Sequence, residues 1–100
     1  MWILRTVTDD IASEQQFRVL PNTVKTLGRA TGADFILDAP LVSRVHCRVS
    51  VSADGDLEVK DLDSTNGTFV NGNKVSIARL IPGDHIQVGR VELIALRDQD

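Results

Sequence analysis

Three short stretches of this chain carry groups suited to holding a phosphate: Gly28-Arg29, Ser43-Arg44-Val45-His46, and the run from Ser64 through Thr65, Asn66, Gly67, Thr68, Phe69 and Val70 to Asn71-Gly72. A phosphate ester carries ~-1.5 to -2 charges at neutral pH and three strong acceptor oxygens, so its receptor needs a fixed cation and several neutral donors. Arg29 supplies a guanidinium, and Ser43 and Thr65 supply hydroxyls. Asn66-Gly67 and Asn71-Gly72 are two tight-turn signals five residues apart. A type I′ turn needs positive φ at both central residues, which Asn-Gly tolerates, so the pair predicts a rigid corner.

Taken in order, the glycine-arginine, the serine-x-x-histidine and the threonine-asparagine-glycine-threonine with its second asparagine-glycine resemble the forkhead-associated (FHA) domain, a reader of phosphothreonine peptides. The resemblance runs from about Leu27 to Leu96 and rests on order and spacing, because each piece alone occurs in many unrelated chains. It implies that Arg29 contacts the phosphate and Ser43 bonds a phosphate oxygen. It further implies a second contact from Arg44, an approach by the Thr65 hydroxyl, and a grip by the Asn66 amide on the peptide backbone next to the phosphothreonine. His46 is then a support that holds the loops by hydrogen bonds without touching ligand. Gly28 lets the backbone turn at a strand end, and Gly67, Asn71 and Gly72 read as turn architecture, with Asn66 also suited to left-handed geometry. Leu41, two before Ser43, occupies a position that family members use to read the third residue after the phosphothreonine. It carries no cation, so no acidic preference is expected there.

Other chemistries fail on spacing. His46 beside Cys47 suggests a base and a nucleophile, but neighbours on a strand point to opposite faces and cannot form a dyad, so Cys47 reads as inert core. Asp61-Leu62-Asp63-Ser64-Thr65 begins like a calcium loop, yet Asn66 stands where the loop glycine belongs and Gly72 where the bidentate glutamate belongs. One cysteine and two distant histidines, His46 and His85, give no zinc spacing. Asn66-Gly67-Thr68 satisfies the glycosylation pattern without a secretory signal to make use of it. No Walker, dinucleotide or serine-elbow motif is present. The expectation is a binding module with no catalytic activity, no cofactor and no metal.

These loops require a frame, and the hydrophobic pattern describes one. Val45, Cys47, Val49 and Val51 alternate with His46, Arg48, Ser50 and Ser52, the period-two signature of a strand with one face in a core. Ala53 to Asp56 supplies a turn and Leu57 to Lys60 the returning strand, while Thr68-Phe69-Val70 and Lys74-Val75 flank Asn71-Gly72 as a second hairpin. Pro82-Gly83-Asp84 is a turn before His85 to Val88, a tight Gly89-Arg90 reversal and Val91 to Leu96. Trp2 to Val7, Phe17 to Leu20, Asn22 to Leu27 and Phe35 to Leu37 read as earlier strands, with the polar Thr8 to Gln16 able to hide one helical turn. Many short strands without a sustained helical period predict an all-β sandwich. The resemblance makes this specific: two packed sheets of about eleven strands, FHA/SMAD-like, with the Gly28, Ser43 and Asn66 loops at one end.

At 100 residues the chain suits one domain, 1–100, with its motif core at about 27–96, burying roughly 65% of its unfolded surface. Fourteen acidic against 11 basic residues give a net charge of -3, which argues against a general nucleic-acid or membrane-surface binder. A lone cysteine, no signal-like leader and no apolar run approaching ~20 residues point to a soluble cytoplasmic protein. The charged end Arg97-Asp98-Gln99-Asp100 reads as a terminus or the start of a linker. The expected partner is a phosphothreonine-containing protein or peptide made by a Ser/Thr kinase. The alternative is a phosphate-independent interaction or self-assembly domain on the same sandwich, against which the intact Arg29, Ser43, Thr65 and Asn66 set speaks.

Overall fold

The computed structural model describes residues 1–98. Among them, eleven strands form two sheets, one of six strands and one of five. In chain order the strands are β1 (Trp2–Thr6), β2 (Gln16–Val19), β3 (Thr23–Gly28), β4 (Phe35–Ile36), β5 (Cys47–Val51), β6 (Leu57–Asp61), β7 (Thr68–Val70), β8 (Asn73–Val75), β9 (Ile77–Leu80), β10 (His85–Val88) and β11 (Val91–Arg97). The six-stranded sheet runs β2-β1-β11-β10-β7-β8 and the five-stranded sheet β4-β3-β5-β6-β9. All neighbours pair antiparallel except β3 with β4.

Alternation dictates how the sheets meet. Register places Val49 opposite Val59 and Val51 opposite Leu57, so β5 and β6 present a continuous apolar row, every member buried. The other sheet answers with Trp2, Leu4, Ile86, Val88, Leu93 and Ala95, also buried. Each fully buried aliphatic side chain contributes about 1.5–3 kcal/mol relative to exposure, and the two rows join in one core. The indole Nε1 of Trp2 donates to the Gly55 carbonyl at 2.8 Å, pinning the β5–β6 turn to the opposite sheet.

Three departures from the sequence reading have physical causes. β9 was not legible, because Ile77 is exposed and only Leu80 of its four residues is buried, the pattern of an edge strand with little to alternate. Val45 lies outside β5 and is exposed, since the chain before Cys47 is diverted into a loop. The first Asn-Gly is not a type I′ turn: Gly67 has φ 87°, but Asn66 is not in the left-handed region, whereas Asn71 (50°) and Gly72 (84°) both are. The reach of Asn66 across to another loop, described below, accounts for that difference. The polar stretch after β1 does hold a helical turn, Ile11–Ser13, capped by Asp10 accepting from the Ala12 N–H. At the charged end, Arg97 closes β11 and the Asp98 N–H bonds the Met1 carbonyl at 2.9 Å, while Gln99 and Asp100 lie outside the described residues.

Burial pushes the Cys47 thiol up to about 12. A thiol reagent at pH 8 is therefore expected to leave the native protein unlabelled and to react fully in denaturant; rapid labelling of the native state would contradict the core position. Leu57→Ala, which empties a site with no solvent exposure, is expected to cost about 2–5 kcal/mol in urea unfolding.

Candidate phosphopeptide-binding site

Gly28 ends β3 and is not in the left-handed region, so its role is closeness rather than turning. A Cβ there would fall within the contact distance of the Arg44 carbonyl oxygen and lie 2.9 Å from Val45 Cα. The missing side chain lets the Ser43–Val45 backbone lie against the strand, and two hydrogen bonds fasten it: Arg29 N–H to the Ser43 carbonyl and Ala30 N–H to the Arg44 carbonyl, both 3.0 Å. On the far side of β3, the carboxylate of Asp34 accepts from the Thr26 N–H at 2.8 Å and the Thr26 hydroxyl at 3.1 Å, which closes the loop carrying Arg29. Those two bonds hold Asp34 below the ordinary aspartate range.

His46 ties this loop to the next. Its imidazole has no solvent exposure; Nδ1 lies 3.0 Å from the Ser43 nitrogen and Nε2 lies 2.8 Å from the Gly67 oxygen. Because the Ser43 amide can only donate and the Gly67 carbonyl can only accept, Nδ1 is the acceptor and the proton sits on Nε2. Two further bonds cross the same gap: the Thr65 N–H to Ser43 Oγ at 3.0 Å and the Asn66 Nδ2 to the Leu41 carbonyl at 2.9 Å. Leu41 carries φ 70°, an uncommon conformation for leucine that the Asn66 bond helps to hold.

Beneath the Asn66 loop, Asp61 organises the chain. One carboxylate oxygen accepts from the Ser64 and Thr68 hydroxyls and the other from the Ser64 N–H, while Ser64 Oγ accepts from the Gly67 N–H at 2.9 Å. Partial burial acts to raise the Asp61 carboxyl, but the Ser64 and Thr68 bonds outweigh it and hold it below its ordinary value.

Arg29, Asp38, Leu41, Ser43, Arg44, Thr65 and Asn66 thus line one open cleft of about 660 Å³. All five residues expected to touch ligand are brought together, and His46, Gly28 and Gly67 stand behind them. Asn71 and Gly72 do not line the cleft; they turn β7 into β8, and the Asn71 amide bonds Asp84 and the His85 N–H. Sequence reasoning missed one glycine. Gly89, in the β10–β11 turn with φ 60°, backs directly onto the recognition loop, since a Cβ there would lie 2.8 Å from the Leu41 carbonyl.

The chemistry available is anion binding. Arg29 is exposed, its Nε donates to the Val42 carbonyl at 3.1 Å, and its terminal nitrogens keep their donors. Ser43 Oγ already accepts from Thr65, so its own proton is free to be donated. Among the described residues the ion pairs are Arg5–Glu14 and His85–Glu92, so neither Arg29 nor Arg44 is neutralised by a carboxylate.

Comparison with known proteins agrees with this architecture. The family model of the FHA domain matches residues 25–89. The ABC transporter ATP-binding/permease protein Rv1747 of Mycobacterium tuberculosis is 39% identical over 75 residues, 75% of this chain and 9% of the relative. The glycogen accumulation regulator GarA of Mycolicibacterium smegmatis is 36% identical over 78 residues, 78% of this chain and 49% of the relative. A structure solved in a structural and functional analysis of phosphothreonine-dependent FHA domain interactions superposes with a TM-score of 0.83 at 31% identity, covering 98% of this chain and 97% of that one. The chain spans about half or less of the length of these two curated relatives. The fold defines a two-sheet β-sandwich whose cleft is built from loops, and the chain belongs to the FHA domain family. No helix among the described residues is long and apolar enough to cross a membrane.

Gly28→Ala is expected to force the Ser43–Val45 backbone off β3 and cost about 1–3 kcal/mol of stability, measured by urea unfolding. The Asp61 interactions stabilise the fold at pH values above the unfolded carboxyl's titration, near 3.8, and are lost as pH falls through the lower folded value. Unfolding midpoints should therefore drop below about pH 4, with a shallower drop in Asp61→Asn; identical pH profiles for the two proteins would remove Asp61 from the account.

Proposed function

We propose that residues 1–100 act as one phosphothreonine-dependent peptide-binding domain, a non-catalytic adaptor whose cleft takes the phosphate and adjacent backbone of a partner. The observation that carries this reading is the un-neutralised Arg29, tethered by Nε to the Val42 carbonyl, facing the same cleft as the free Ser43 proton and the Thr65 hydroxyl. In this reading Arg29 supplies the charge-assisted contact, Ser43 and Thr65 donate to phosphate oxygens, and Arg44 adds a second cation. Asn66 orients the peptide with whatever hydrogen-bonding capacity its bond to the Leu41 carbonyl leaves free. The FHA domain of similar shape, studied for phosphothreonine-dependent interactions, supports the choice of ligand. The partner is a protein phosphorylated by a Ser/Thr kinase, in the cytoplasm, with neither nucleic acid nor membrane insertion required.

Affinity is expected to depend on the phosphate and on the arginine. Arg29→Ala should weaken binding of a phosphothreonine peptide by about 1.5–3 kcal/mol in calorimetry, and Arg29→Lys should restore only part, because an ammonium cannot reproduce the guanidinium fork. Replacing phosphothreonine with phosphoserine should cost about 1–3 kcal/mol, the worth of one methyl in an apolar pocket. Unchanged affinity in Arg29→Ala, or equal binding of the unphosphorylated peptide, would transfer the reading to a phosphate-independent interaction domain.

A further inference from the structure

The β10–β11 turn carries a cation just outside the cleft: neither Gly89 nor Arg90 lines it, but the turn packs against Leu41, which does. Gly89 and Arg90 are the two central residues between Val88 and Val91, which face each other in register. Gly89 has φ 60° and Arg90 is not in the left-handed region, the pattern of a type II′ hairpin turn with glycine in its first central position. This turn is pressed against the recognition loop: a Cβ on Gly89 would lie 2.8 Å from the Leu41 carbonyl carbon and oxygen and 3.0 Å from the Val42 nitrogen. Any side chain at 89 would push Leu41 out of place. Arg90 follows one residue later, ~3.8 Å along the backbone, and its side chain is exposed.

Leu41 lines the cleft and is 47% exposed, so it offers an apolar surface with nothing packed over it. Among the described residues Arg90 has neither a carboxylate partner nor a side-chain hydrogen bond. The carboxylate that belongs to this turn's neighbourhood, Glu92, is engaged with His85 Nδ1 at 2.8 Å.

We infer that the Gly89-Arg90 turn extends the peptide path past the Leu41 side of the cleft, where Arg90 takes the carboxylate of a glutamate flanking the phosphothreonine while its methylenes lie towards Leu41. This rests on the phosphopeptide reading above and deepens it; the expectation that Leu41 itself reads no acid stands beside it, because the acid is assigned to Arg90. Glutamate is favoured over aspartate because its longer apolar stem can cover Leu41 before the charge reaches Arg90. Gly89 is a positioning residue in this scheme and Arg90 a specificity-determining one.

The test is a glutamate scan of a phosphothreonine peptide with otherwise neutral flanks, one substitution at a time at four positions on each side, each paired with its glutamine twin. The readout is the ratio of the two Kd values for the parent domain, Arg90→Gln and Arg90→Glu. In the parent one position should favour glutamate by roughly two- to fivefold, the range of an exposed ion pair. Arg90→Gln should bring that ratio to about one, and Arg90→Glu should invert it. A flat scan, or a glutamate preference that survives in both variants, would overturn the role of Arg90 while leaving phosphopeptide binding intact. Failure of every phosphorylated peptide, glutamine twins included, would instead overturn the phosphopeptide reading and with it this one.

Discussion

The imidazole of His46 is completely buried between the Ser43 amide and the Gly67 carbonyl, and those two partners belong to different loops. Loops at the end of a sandwich are ordinarily the least stable part of it, because their backbone groups can exchange protein partners for water at little cost. Here one neutral ring satisfies a donor on one loop and an acceptor on the other, in a setting where either left alone would cost about 1–3 kcal/mol. Two of the cleft's loops are joined by this bridge. Ser43 presents its hydroxyl because its amide is held, and Thr65 and Asn66 precede the carbonyl that the other nitrogen grips.

Two glycines clamp the same segment from opposite sheets. Gly28 in β3 admits the Ser43–Val45 backbone on one side, and Gly89 in the β10–β11 turn admits Leu41 and Val42 on the other. The recognition loop is thus wedged between the ends of both sheets, which explains how leucine tolerates a left-handed conformation at position 41. A binding surface assembled in this way loses little conformational entropy when it meets its ligand, and that saving favours affinity in a cleft that is open and of modest size. The net charge of -3 gives no long-range attraction for a phosphate, so in the proposed reading recognition depends on a few local cations rather than on the field of the whole molecule.

Much of this was legible in the residues. The alternation of Cys47, Val49 and Val51, the returning Leu57 and Val59, and the Asn71-Gly72 turn announce strands and a hairpin through period and turn chemistry, and the structure has them. That Arg29, Ser43, Arg44, Thr65 and Asn66 line one cleft follows from motif order, which survives because each motif sits at a strand end whose position the core determines. What stayed hidden is what depends on distant segments meeting. Ile77–Leu80 has no strong pattern because an edge strand buries little. Asn66-Gly67 reads as a type I′ turn by local preference, yet tertiary bonds from Asn66 to Leu41 and from Gly67 to His46 and Ser64 select another geometry. Gly28 reads as a flexible joint and is in fact a point of close contact. Gly89 reads as an ordinary turn, since nothing local reveals that Leu41 lies against it.

The central claim is that a pre-formed cleft, held by His46, receives a phosphothreonine. Amide shifts of a nitrogen-15-labelled sample, followed while a phosphothreonine peptide and its unphosphorylated twin are titrated in, address it most directly. The account predicts saturable shifts concentrated at Arg29, Ser43, Arg44, Thr65 and Asn66 with the phosphorylated peptide alone, while the buried His46 ring keeps its proton on Nε2 throughout. Shifts that are equal for the two peptides, or that fall on the outer faces of the sheets, would contradict it.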